Sequence, residues 1–108
     1  MELDKTTKAI LTLLEQTKGE DIELINVSEL TPFSEYYLLV TASNIRQMNA
    51  IKETVLKKLK ELEANLHHVE GREESGWVLI DAHHLIVNIF TKEERERISL
   101  EEIFKRRN

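Results

Sequence analysis

Two apolar runs near the C-terminal end, Trp77-Val78-Leu79-Ile80-Asp81 and Leu85-Ile86-Val87-Asn88-Ile89-Phe90, constrain this chain more than any other stretch. Both read as β-strands. If His83-His84 form a two-residue turn between them, residue 82 faces 85, 80 faces 87 and 78 faces 89. Side chains alternate along a strand, so this pairing sorts the hairpin into two faces. Val78, Ile80, Ala82, Leu85, Val87 and Ile89 make a uniformly aliphatic face suited to a core. Trp77, Leu79, Asp81, Ile86, Asn88 and Phe90 make the other, and its two aromatics, two aliphatics, acid and amide have the composition of an interaction surface. A plainer arrangement places the C-terminal turn, through Leu100, Ile103 and Phe104, over this second face and makes Trp77 a packing residue. His-His is not the Asn-Gly or Asp-Gly pair that tight hairpins favour, so the register is an expectation for the structure to test.

The rest of the chain supplies what the hairpin needs for burial. Leu3 to Lys18 reads as a helix with Leu3, Ile10, Leu11 and Leu14 near one face and Gly19 placed to stop it. Ile22 to Val27 is a strand, and Ser28 to Ser34, with Pro32, a loop. Tyr36 to Thr41 is apolar at both alternating sets of positions, which predicts a central strand covered on both sides. A long helix spans Ile45 to Asn65, capped by Ser43 or Asn44, with Asn44-x-x-Gln47 resembling a capping box. Its apolar positions, Met48, Ile51, Val55, Leu59, Leu62 and Leu66, step by three and four into one stripe, and its charged residues read as a solvated face. His67 to Glu70 is a short strand, Glu70 to Gly76 a polar loop, and Glu93 to Arg97 and Leu100 to Arg106 helical turns. The order α-β-β-α-β-β-β-α predicts one small α/β domain over 1–108, a mixed sheet of about five strands packed with helices.

A chain of 108 residues is enough for one core and too short for two domains. With no cysteine it has no disulfide, thiolate metal site or cysteine nucleophile. Residues 1–20 resemble neither a signal peptide nor a transit peptide, and no run reaches the eighteen or so apolar residues of a membrane span, so a soluble, cytoplasmic, untargeted protein is expected.

Charge is distributed unevenly. Residues 1–43 are net −5, residues 44–66 net +2, residues 67–81 net −3 and residues 92–108 net +1. An acidic chain is a poor candidate for binding nucleic acid by itself, which depends on clustered Lys and Arg. A basic protein partner fits better, through charge complementarity.

No metal site or cofactor is expected. Adjacent His83 and His84 would point to opposite faces of a strand, and no His-x-x-x-His spacing puts two ligands on one helical face. No Gly-rich phosphate loop or nucleophile elbow occurs, and Gly19, Gly71 and Gly76 are far apart.

Glu70-Gly71, Gly76-Trp77-Val78-Leu79-Ile80-Asp81, Leu85 to Phe90, Arg95 and Leu100-Glu101 stand in an order that resembles the ribosomal silencing factor (Iojap-like) family. Upstream, Asp21-Ile22, Asn26-Val27, Tyr36 to Ser43, Arg46-Gln47 and Ala50-Ile51 extend the resemblance over roughly residues 20 to 104. The chain departs from the family pattern at Asn88, where a histidine is usual, at Ile98-Ser99 in place of an aromatic pair, and at Phe104 in place of a tryptophan. The resemblance implies a nucleotidyltransferase-like topology. The catalytic set of such enzymes is missing, because Ser75-Gly76 reverses the Gly-Ser loop order and Asp81 has no acidic partner two residues away.

It further implies a non-enzymatic translation repressor that binds a basic ribosomal protein on the intersubunit face of the large subunit and blocks joining of the small subunit. Trp77 and Phe90 would be anchors, with Leu79, Ile86 and Asn88 around them, and Asp81, Glu70, Glu73 and Glu74 would meet basic groups. Neither membrane binding nor sequence-specific nucleic-acid binding is expected. Three alternatives stay open at this point: large-subunit assembly through the same site, a metal-dependent nucleotidyltransferase-like enzyme, and pairing of the free chain as a homodimer.

Overall fold

The structure, a computed structural model, describes residues 3–98 except 33, 65 and 67. The elements in chain order are α1 (Lys5–Glu15), β1 (Glu20–Asn26), β2 (Tyr36–Ala42), α2 (Ile45–Glu61), β3 (His68–Arg72), β4 (Trp77–Ala82), β5 (Leu85–Thr91) and α3 (Lys92–Arg97), with a 3-10 turn at Glu73–Ser75. The five strands form one mixed sheet in the order β1-β2-β5-β4-β3. Only β2 and β5 are parallel; the other neighbours run antiparallel.

Every residue of β2, β4 and β5 is buried, which explains why β2 is apolar at successive positions. On one sheet face Tyr36, Leu38, Val40, Val78, Ile80, Leu85, Val87 and Ile89 meet Ile10 and Leu14 of α1 and Met48, Ile51, Val55 and Leu59 of α2. The opposite face carries a second cluster of Val27, Tyr37, Leu39, Trp77, Leu79, Ile86 and Phe90, with Ile25 and Ile98 packed against it.

Local chemistry sets the element ends. Asn44 caps α2 by accepting from Gln47 N at 2.7 Å, and Gln47 Oε1 accepts from Ser43 N at 2.6 Å, so Gln47 reaches back one residue beyond the cap. α2 stops at Glu61, earlier than its apolar spacing predicts, because Leu62 closes it and Glu63 turns to φ +55°. Leu66 therefore falls off the buried stripe and is 46% exposed. α1 ends at Glu15 rather than at Lys18, with Thr17 Oγ1 donating to Leu14 O at 2.6 Å, so Gly19 is not its stop. β3 runs from His68 to Arg72, so the strand continues two residues past its expected end at Glu70. The expected turn at Leu100 to Arg106 lies outside the described residues.

Asp4 caps α1 and ties it to the β4–β5 turn. Its Oδ1 accepts from Thr7 N at 2.9 Å and lies 2.9 Å from His84 Nε2, while Oδ2 accepts from Thr7 Oγ1 at 2.8 Å. Burial alone would raise this carboxyl's pKa, but the bonds from Thr7 and His84 outweigh burial and lower it. A folded-state pKa below the unfolded value stabilises the fold above about pH 4, and this contribution is lost as pH falls through the lower value. Asp4→Ala should cost about 1 kcal/mol in urea unfolding at neutral pH, with the difference from the parent shrinking in acid. Asp4→Asn should keep most of the cap and lose the pH dependence. An Asp4→Ala deficit that is the same at pH 3 and pH 7 would contradict this assignment.

Candidate functional site

The hairpin has the register that a two-residue turn at His83-His84 predicts: Trp77 pairs with Phe90, Leu79 with Asn88, Asp81 with Ile86 and Ala82 with Leu85. The turn works with His-His because His83 takes φ +65° and His84 does not take a positive φ, the sign pattern of a II′ turn. Asp81 Oδ1 accepts from His83 N at 3.0 Å, fixing that strained position. The loop after β1 braces the turn from outside, with Glu35 N and Tyr36 N donating to His84 O at 2.8 and 2.9 Å.

The second face contains the six residues expected on it, but it is closed. Trp77 is 8% exposed, Asp81 2%, and Leu79, Ile86, Asn88 and Phe90 are buried. Trp77 stacks on Phe90 with ring centroids 5.4 Å apart and donates from Nε1 to Asn88 Oδ1 at 3.1 Å. Arg95 lies over Phe90 at 5.7 Å from the ring centroid, donates to Thr41 Oγ1 at 3.0 Å and reaches Glu23 Oε1 at 3.3 Å. With Val27, Ile25 and Ile98 also packed here, the face expected to lie open is closed. Trp77 is a packing residue, and the Asp81 carboxylate holds the turn rather than standing free at a surface. Asn88 Nδ2 is buried and has no hydrogen-bond partner among the described residues.

The exposed part of the predicted site lies beside this face. Glu70 is half-buried on β3 opposite Leu79, with His68 Nε2 at 3.1 Å from its Oε2. Glu73 and Glu74 occupy the 3-10 turn, where Glu74 is exposed. Two glycines fix this turn. Gly71 has φ +93°, and a Cβ there would lie 2.3 Å from Trp77 O; Gly76 has φ +77°, and a Cβ there would meet Thr91 Oγ1 at 2.6 Å.

That close approach forms one wall of a cleft of about 460 Å³, lined by Ser43, Asn44, Ile45, Glu74, Ser75, Gly76, Thr91, Glu93 and Glu94. It sits at the C-terminal ends of the parallel pair, where Ala42 and Thr91 are in register and α2 and α3 begin. Open α/β sheets bind ligands in such crevices. Gly76 O accepts from Thr91 N at 2.9 Å, which brings Glu74 and the start of α3 together. Arg97 donates to both Glu94 oxygens at 2.8 and 2.9 Å, and this bond lowers the Glu94 pKa, so the carboxylate stays charged. With Glu94 paired to Arg97, Glu74 and Glu93 give the lining its negative charge, which favours a cationic group. Among the described residues no group of three His, Asp or Glu side chains is arranged to hold a metal ion.

Sequence reading missed Ser43, Asn44, Thr91, Glu93 and Glu94 as neighbours of Glu74. The available signal was that two apolar strands are each followed at once by a helix cap, Asn44 and Thr91.

Residues 1–108 match the family described as ribosomal silencing factor during starvation. The chain belongs to that family. A Chromobacterium violaceum protein named ribosomal silencing factor RsfS is 31% identical over 104 residues, covering 96% of this chain and 85% of the relative. A crystal structure of a Chromobacterium violaceum protein superposes with a TM-score of 0.86 at 30% identity, covering 97% of this chain and 88% of the other. A mouse relative named mitochondrial assembly of ribosomal large subunit protein 1 is 22% identical over 92% of this chain and 45% of its own length. In this member of the family, Asn88 Oδ1 supplies the acceptor for the Trp77 ring N–H.

Proposed function

We propose that this chain is a cytoplasmic, non-enzymatic translation repressor that binds a basic protein on the intersubunit face of the large ribosomal subunit and sterically prevents joining of the small subunit. The observation that carries the reading, beyond family membership, is the acidic cleft between the 3-10 turn and the starts of α2 and α3, which suits a lysine or arginine side chain of a protein partner. Glu74 lines the cleft, and Glu70 and Glu73, close to it in sequence, would add to the acidic character of the partner-binding surface. The buried face of Trp77, Leu79, Asp81, Ile86, Asn88 and Phe90 supports the cleft from one end, where Trp77 and Phe90 pair next to Gly76 and Thr91. A standard interface of about 800 Å² per partner is enough to exclude a second subunit. The mouse relative's name supports a second reading, in which the same contact serves large-subunit assembly.

Co-sedimentation of the pure chain with isolated large and small subunits tests the binding step. It should follow large subunits only, and reversal of Glu70, Glu73 and Glu74 to lysine should slow association more than it speeds dissociation, most clearly at low salt. Equal recovery with small subunits, or association rates indifferent to both salt and the charge reversal, would sink the proposal.

A further inference from the structure

The helical layer carries a feature of opposite sign that the acidic cleft does not explain. Between α1 and α2 runs a groove of about 360 Å³ lined by Lys5, Lys8, Thr12, Gln16 and Lys58 over a floor of Ala9 and Leu13. Among the described residues no carboxylate lines it, in a chain whose formal net charge is −5. Lys5 and Lys8 are exposed and about one helical turn apart on the same side of α1, and α2 brings Lys58 across from them. Lys58 also meets Glu61 at 3.8 Å, a half-exposed pair that an incoming anion exchanges at little cost. Thr12 and Gln16 add neutral hydrogen-bond donors.

The groove is well separated from the cleft. Asn44 lines the cleft at the start of α2, and Lys58, fourteen residues along the helix, is roughly 20 Å away. Lys5 follows the cap residue Asp4, which is bonded to His84 in the turn at the far end of β5. The molecule therefore presents an acidic recess at one end of the parallel strands and a basic groove toward the other.

We propose that this groove holds the phosphate backbone of ribosomal RNA next to the protein partner, a second point of attachment that fixes the chain's orientation on the large subunit. This rests on the functional reading above, since a chain seated on a ribosomal protein has RNA beside it. Lysines act as compact point charges with three donors each, which neutralise backbone phosphates without demanding one fixed geometry. Three ammonium groups are too few for the chain to bind RNA without the protein contact, consistent with its overall acidity.

The test is the salt dependence of affinity for isolated large subunits, measured for the full chain and for a Lys5→Gln, Lys8→Gln, Lys58→Gln variant. The slope of log affinity against log salt should become shallower by about three, one for each lysine removed, and the matching Lys→Arg variant should restore it. Lys8→Gln alone should shift the slope by about one and keeps the test standing if the triple variant does not fold. A photo-crosslinker in place of Thr12 should attach to RNA. Unchanged slopes, or a crosslink to protein only, overturn the inference while leaving the acidic-cleft reading intact. A parent chain that does not bind large subunits at all removes both.

Discussion

Trp77→Ala should lower the unfolding free energy by about 3–5 kcal/mol, the range for deleting a large buried aromatic. Trp77 is 8% exposed, stacks on Phe90, and donates its ring N–H to Asn88. Removing it opens a cavity on the second sheet face beside Phe90 and leaves Asn88 Oδ1 without that donor, in a residue whose Nδ2 already lacks a partner among the described residues. Trp77→Phe should recover most of the packing and none of the hydrogen bond. Urea unfolding of the two variants decides it. A Trp77→Ala protein as stable as the parent but impaired in large-subunit binding would restore the open-anchor role that the structure argues against.

Gly71→Ala should cost about 3 kcal/mol or more, although it adds only one methyl group. A side chain at φ +93° is strained by roughly 1–3 kcal/mol. The added Cβ would also meet backbone, 2.3 Å from Trp77 O and 3.3 Å from Val78 Cα, and backbone in a paired strand cannot swing aside as a side-chain tip can. The β3–β4 pairing would have to shift, and Glu70 with it. Glu74→Ala, at an exposed neighbour on the same turn, should stay within about 0.5 kcal/mol and serves as the control. Equal stability of the two variants in urea would contradict the assigned backbone geometry.

The parts of this molecule that were legible in sequence are those governed by local periodicity. Continuous apolarity marked Tyr36 to Thr41 as a central strand, and assuming a two-residue turn at His83-His84 gave the hairpin register correctly although the His-His sequence argued against such a turn. Asn44-x-x-Gln47 marked the start of α2 because capping depends on neighbouring residues. Burial of the second face was not legible. Alternation tells which residues share a face; it does not tell what lies over them. Here Val27, far from the hairpin in sequence, closes over the aromatics together with Arg95 and Ile98. A mixed composition that suggested a surface instead reflects internal bonds, Trp77 to Asn88 and Asp81 to His83. The acidic cleft escaped notice for the same reason. It depends on parallel pairing of Ala42 with Thr91 and on Gly76 drawing the 3-10 turn against α3, neither of which leaves a periodic trace.

The central claim, that occupancy of the large subunit excludes the small one, is tested most directly by order of addition in a reassociation assay with purified subunits. Added to large subunits before mixing, the chain should reduce the yield of joined ribosomes in proportion to its occupancy, and the Glu70, Glu73 and Glu74 reversal should weaken this effect. Added after joining, when the intersubunit face is covered, it should act only as fast as ribosomes come apart. Normal joining by large subunits already saturated with the chain would contradict the account.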